Sequence, residues 1–205
     1  MEREKDTYRT IKKASSGLYK DKGSKFISFA FPVKDEDEIN SKLAGLKKEY
    51  HDARHHCYAW SLGYDGESHR YNDDGEPSGT AGKPIFGQIR SFTLCNILIV
   101  VVRYFGGTKL GVRGLINAYK GAALDSIENN TIITNTIKDH YRLRFEYPQM
   151  NDIMRVLKEN DLPQIKHDFG LDCSLEFSVR LSKKAIVIPQ LEQIKDVELD
   201  YLYRL

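Results

Sequence analysis

Apolar and polar positions change their period several times along the chain, and each change marks an element. Residues 25–33 (KFISFAFPV) read as a β-rich segment that stops at Pro32. Asp35 with Glu38 three residues on fits a capping box, and Ile39, Leu43 and Leu46 follow at helical spacing. Lys47 and Lys48 close that helix near the negative end of its dipole. Residues 56–62 (HCYAWSL) read as a strand, and 63–82, rich in Gly, Asp, Asn and Ser, as largely loop. Pro84 suits the first turn of a helix reaching about Phe92. Residues 96–104 (NILIVVVRY) form a near-continuous β-branched run, which predicts a central strand covered on both faces. A glycine-rich turn at 106–114 leads into a helix to about Asn129, with Val112, Leu115, Ile116, Tyr119 and Ala123 as its buried stripe.

Beyond Asn129 and Asn130 the pattern changes. Residues 138–147 alternate as a strand, and 150–160 form a helix carrying Ile153, Met154 and Leu157. Two strands follow at 165–169 and 173–181, then a helix at 186–195, broken or started at Pro189, and a last strand at 197–205. That order, βαββαβ, is the ferredoxin-like split unit. The chain therefore reads as α+β with two domains, 17–130 and 137–205. The first fifteen or so residues are charged and read as a frayed arm or an edge strand.

With 205 residues, 40% of them hydrophobic and 29% charged, the chain can bury two small cores, and global disorder is excluded. Its N-terminus, MEREKD, lacks the apolar stretch of a signal peptide. The longest apolar run, 97–102, falls far short of the roughly 20 residues that span a bilayer. A cytoplasmic location is the expectation. Cys57, Cys95 and Cys173 are an odd, sparse set and read as reduced thiols, the last two as core residues.

The net charge of +2 hides a local segregation of sign. Asp65, Glu67, Asp73, Asp74 and Glu76 crowd one segment, whereas residues 77–124 contain no carboxylate. The charged residues there are Lys83, Arg90, Arg103, Lys109, Arg113 and Lys120, all positive. Arg113, Asn117 and Lys120 share one helix face, Lys109 sits in the glycine turn, and Arg103 ends the central strand. Bare glycine amides, a helix start and convergent cations suit an anion. The alternative is a tight turn beside a solvated helix face. The segment GGTK at 106–109 lacks the spacing of a phosphate loop, and no dinucleotide fingerprint follows a strand.

Metal and catalytic readings find little. His55 and His56 point to opposite sides of a strand, so they do not converge on one ion, and no cofactor is expected. Asp73, Asp74 and Glu76 suit either a hard cation or the capping of turns. Cys57 reads as a half-buried strand cysteine rather than a nucleophile. An uncharacterised hydrolase would need His55 or His56 to meet Ser78, Thr80 or Asp74.

The segment NDDGEPSGTAGKP (72–84) resembles the signature of the IMPACT family, and in particular its bacterial YigZ type. The likeness continues through DARHHC (52–57), VVRYFGGTKLG (101–111), Gly114-Leu115 and Ala118-Tyr119, and so covers roughly 17–129. The resemblance implies that the first domain takes the ribosomal-protein-like βαβ fold of domain four of elongation factor G. The second domain should resemble domain five of that factor. It marks Arg54, His55, His56, Asp73, Asp74, Glu76, Ser78 and Thr80 as motif residues without assigning them a role. Eukaryotic members regulate translation initiation by competing, through an additional N-terminal RWD domain, for an activator of the general-control kinase; the expectation is that this chain leaves no room for that domain, so that partner is not carried over. The expectation is a translation-associated binding protein rather than an enzyme. It would contact RNA or the ribosome through Lys83, Arg103, Lys109, Arg113, Asn117 and Lys120. A regulator acting on a protein partner through the ferredoxin-like sheet or the acidic loop is the alternative.

Overall fold

The computed structural model describes residues 6–170 and 173–205, so residues 1–5 of the charged arm lie outside the described part. The chain divides into two compact units, one spanning Tyr8–Asn135 and the other Thr136–Leu205 with Asp6 and Thr7.

The first unit is built from strands β1 (Thr7–Ile11), β2 (Ser15–Asp21) and β3 (Ser24–Pro32), helix α1 (Glu36–Glu49), strands β4 (His55–Leu62) and β5 (Ser68–Asn72), helix α2 (Gly82–Ser91), strand β6 (Ile97–Tyr104), helix α3 (Gly111–Glu128) and strand β7 (Ile132–Thr136). Five strands form an antiparallel sheet in the order β2-β3-β6-β4-β5, and β1 pairs with β7. Strand β6 lies at the centre, as its composition predicts, and 97–102 are fully buried. Its period of two splits them: Ile97, Ile99 and Val101 pack with α2 and α3, while Leu98 and Val100 pack with Ile39 and Leu46 of α1. Asp35 caps α1 by accepting the Glu38 N–H at 2.8 Å, and Glu38 accepts the Lys34 N–H in return.

Three features depart from the sequence pattern. The segment expected to be largely loop contains β5, an exposed edge strand. Its SHRYN sequence shows no apolar alternation because the strand stays largely exposed, and its order comes from pairing with β4 and from His69 and Tyr71 stacking on Phe86 of α2. Strand β2 also went unread, and it packs on α3 so closely that a Cβ at Gly17 would meet the Ser126 amide at 2.5 Å. Val112, expected in the buried stripe, is 60% exposed, because the first turn of α3 opens onto a cleft while Leu115, Tyr119 and Ala123 are buried.

The second unit consists of β8 (Lys138–Phe145), a 3-10 turn at Tyr147–Gln149, α4 (Met150–Glu159), β9 (Gln164–Phe169), β10 (Cys173–Arg180), α5 (Leu181–Glu192) and β11 (Val197–Arg204). Its antiparallel sheet runs β11-β8-β10-β9, the ferredoxin-like order. Ile153, Val156 and Leu157 of α4 and Val187 and Leu191 of α5 cover one face. The other face carries charge pairs, Arg142 with Glu176 and Arg144 with Glu198 and Asp200. Helix α5 begins five residues before the expected start, and Pro189 lies inside it. Burial of Val187 and Leu191 and the Lys184–Asp139 pair hold the helix through the hydrogen bond that proline forfeits.

Candidate anion-binding cleft

Strands β4 and β6 pair so that His55 lies opposite Arg103 at one end of the sheet. Arg103 keeps the parity of Ile99 and Val101, which turns its side chain inward towards the layer of α2 and α3 rather than out to solvent. It is 8% exposed. Its Nη1 donates to Glu76 Oε1 at 2.5 Å, and its guanidinium lies 5.4 Å from the Phe26 ring and 5.6 Å from that of Phe105. The same Glu76 oxygen accepts the Tyr119 hydroxyl at 2.9 Å, and the Cys57 thiol lies 3.3 Å from that hydroxyl. Burial pushes the Tyr119 hydroxyl and the Cys57 thiol far up, so both stay protonated and Cys57 offers no thiolate. The sequence pattern placed Arg103 among outward cations. The structure corrects this: its charge is taken up by a carboxylate brought from the acidic segment.

That segment is a folded loop whose acids serve the chain itself. Asp73 Oδ1 accepts the N–H groups of Ala81 and Gly82 at 2.9 and 2.8 Å, and Oδ2 accepts that of Gly79 at 2.8 Å. This caps α2, whose own N-cap residue, Ala81, cannot do so. At Gly82 a Cβ would meet the Asn72 amide at 2.6 Å, so only glycine admits this approach. Asp74 Oδ2 accepts the His56 N–H at 2.6 Å. Its carbonyl lies 2.8 Å from His55 Nδ1, which must therefore carry the proton, leaving Nε2 as the acceptor of the neutral ring. The two histidines thus converge on Asp74, not on a hydroxyl. Thr80 is buried and donates to the Pro77 carbonyl at 2.6 Å, and Ser78 is exposed. Among the described residues, no group of three or more His, Cys, Asp or Glu is placed to hold a metal ion.

Lys83, Lys109, Arg113, Asn117 and Lys120 are all exposed, and among the described residues none of these four cations makes an ion pair. Lys109 also lines a cleft of about 900 Å³ with Arg54, His55, Glu76, Pro77, Arg103, Phe105 and the first turn of α3. Helix α3 starts with no side-chain cap and no acid in its first turn, and Gly111 opens it at a φ of +73°. Its first amides are consequently free to bind an anion. Tyr104 donates to Asp52 Oδ1 at 2.6 Å on the cleft wall, which holds the Asp52 carboxyl below its ordinary value and pushes the tyrosine hydroxyl up to about 12. Sequence reasoning missed Asp52, Tyr104, Phe105 and Leu110 as lining residues. The available signal was an aromatic pair directly after the arginine that ends the strand.

The profile of the Impact N-terminal domain matches residues 22–127. The chain is 34% identical over 166 residues to IMPACT family member YigZ of Escherichia coli K12, covering 80% of this chain and 81% of that protein. It is 32% identical over 154 residues to IMPACT family member YvyE of Bacillus subtilis 168, covering 75% and 71%. A crystal structure of a hypothetical protein superposes with a TM-score of 0.71 at 29% identity, covering 97% of this chain and 98% of that one. The chain belongs to the IMPACT family.

Proposed function

We propose that this protein is a translation-associated regulator that binds RNA, on or off the ribosome, through the exposed cations of α2, α3 and the turn that leads into α3. The observation that carries this reading is that Lys83, Lys109, Arg113 and Lys120 stand on the surface of a carboxylate-free stretch with no counterion among the described residues. Three acids of the preceding segment are engaged elsewhere: Asp73 caps α2, Asp74 binds His56, and Glu76 binds Arg103. Such a face holds phosphates and positions a nucleic acid without reading bases. Arg103 supports the face from beneath and is not one of its contacts. The link to translation and the elongation-factor-like character of the fold come from the family resemblance. No helix of the described residues is long and apolar enough to cross a membrane.

The test is fluorescence anisotropy with a structured RNA across a salt series. Binding should weaken linearly in log–log form, losing about 0.7 of a logarithmic unit of affinity per unit of log salt for each phosphate engaged on single strands. Lys109→Glu with Arg113→Glu should abolish binding while the melting temperature holds, since both side chains are exposed. Unchanged affinity in that double variant would rule the face out. A protein-interaction regulator working through the acidic loop has less to stand on, because Asp73, Asp74 and Glu76 of that loop are bound within the unit.

A further inference from the structure

The cleft is deeper than phosphate contacts along an RNA backbone require. At about 900 Å³ it lies within the roughly 300–1,000 Å³ of pockets that enclose small ligands. The outer face reading uses only Lys109 from this cleft and leaves the rest of it unexplained.

Three observations define its occupant. The first turn of α3 presents uncapped amides with no acid nearby in the helix. Lys109 and Arg54 line the cleft, while Arg103, below them, is 8% exposed and has a buried Nε with no partner. Phe105 is 57% exposed, and Arg103 lies against its ring. The charges can be counted. Arg103 and Glu76 cancel each other. Arg54 and Lys109 contribute two positive charges, Asp52 removes one, and a helix start adds about half, leaving about +1.5. A phosphomonoester carries about −1.5 to −2 near pH 7, closer to this value than the single charge of a diester. An exposed aromatic ring beside such an anion site suits a planar base, because every base has a face to stack.

We propose that this cleft binds a nucleotide through its 5′-phosphomonoester. The phosphate is held by the first amides of α3 with Lys109 and Arg54, and the base lies against Phe105. Two sources share this chemistry, a free nucleotide and the 5′ end of an RNA. The second source rests on the RNA-binding reading above, and the first does not.

Calorimetric titration of the full chain with adenosine 5′-monophosphate, adenosine and inorganic phosphate tests the proposal. The monophosphate should bind at least about tenfold tighter than either fragment. Arg54→Ala and Phe105→Ala should each weaken it at least about fivefold without lowering the melting temperature. Adenosine 5′-monophosphate binding no tighter than inorganic phosphate, or indifferent to Arg54→Ala, overturns the proposal. A short oligoribonucleotide with a 5′-phosphate is then compared with its 5′-hydroxyl counterpart. Preference for the phosphorylated end identifies RNA as the source, and no preference, with monophosphate binding intact, identifies the free nucleotide. Lys83→Glu with Lys120→Glu, exposed residues outside the cleft, separates the two readings. Loss of RNA binding with monophosphate binding retained supports the cleft and the outer face together. Salt-dependent RNA binding by a protein that ignores the monophosphate sinks the cleft and leaves the outer face standing.

Discussion

At the residue scale, the Glu76–Arg103 pair is the most exacting interaction of the first unit. Both side chains are buried, at 3% and 8% exposure, so neither charge can turn to water if the other is lost. Glu76→Ala should destabilise the protein by about 3–5 kcal/mol, read from a urea midpoint. Adding Arg103→Met should restore much of that, because it removes the stranded charge; a double variant as unstable as the single one would contradict this account. His56 gives a pH prediction. Burial lowers its pKa from 6.5, nearby Lys47 adds to that, and Asp74 opposes both. The native state therefore holds the proton less readily than the unfolded chain. Stability from this residue is complete above about 6.5 and is lost as acidification carries the pH below the unfolded value and through the depressed native one. His140 in the second unit shifts the same way, first through burial and then through Lys138. Urea midpoints should be flat near neutrality and fall below about pH 6.5, and His56→Gln should flatten part of that slope.

At the scale of elements, the ends of helices decide what each one does. Helix α2 is capped from a distance by Asp73, whereas α3 has no side-chain cap. The same physics that stabilises the first start leaves the second available to a ligand. In the second unit, α5 runs through an exposed Pro189 that removes one internal hydrogen bond. Pro189→Ala should therefore stabilise the protein by about 1 kcal/mol or more, seen as a raised urea midpoint. No gain would mean that the helix is already adapted to the ring. The sequence pattern places the start of this helix near residue 186, because proline is a start signal as well as a breaker. Only the burial of Val187 and Leu191 on the sheet shows that the helix passes through it.

Over the whole molecule, a net charge of +2 conceals an ordered division of labour. The acids of the 65–76 segment and the cations of 77–124 are adjacent in sequence, and they could have neutralised one another entirely. Among the described residues they meet in one ion pair, Glu76 with Arg103. Elsewhere Asp73 and Asp74 bind backbone amides of the unit, and Lys83, Lys109, Arg113 and Lys120 stay at the surface. The second unit resolves its charges differently, in pairs across strands, so that its open sheet face is balanced rather than cationic. The polyanion-binding face we propose accordingly belongs to the first unit.

The sequence by itself determined the α+β class, the doubly covered central strand, the capped first helix and the βαββαβ order of the second unit. Each of these is written in local periodicity and cap chemistry, which act over a few residues. It also determined which stretch lacks carboxylates. Only the tertiary structure decided which cations of that stretch face water. Arg103 and Lys109 look alike in the sequence, but strand parity and a loop folded back from residue 76 bury the first and leave the second exposed. Edge strand β5 and the overhanging turn at Val112 were illegible for the same reason. Whether a position is covered depends on elements distant in the chain, and no local pattern records what will come to lie against it.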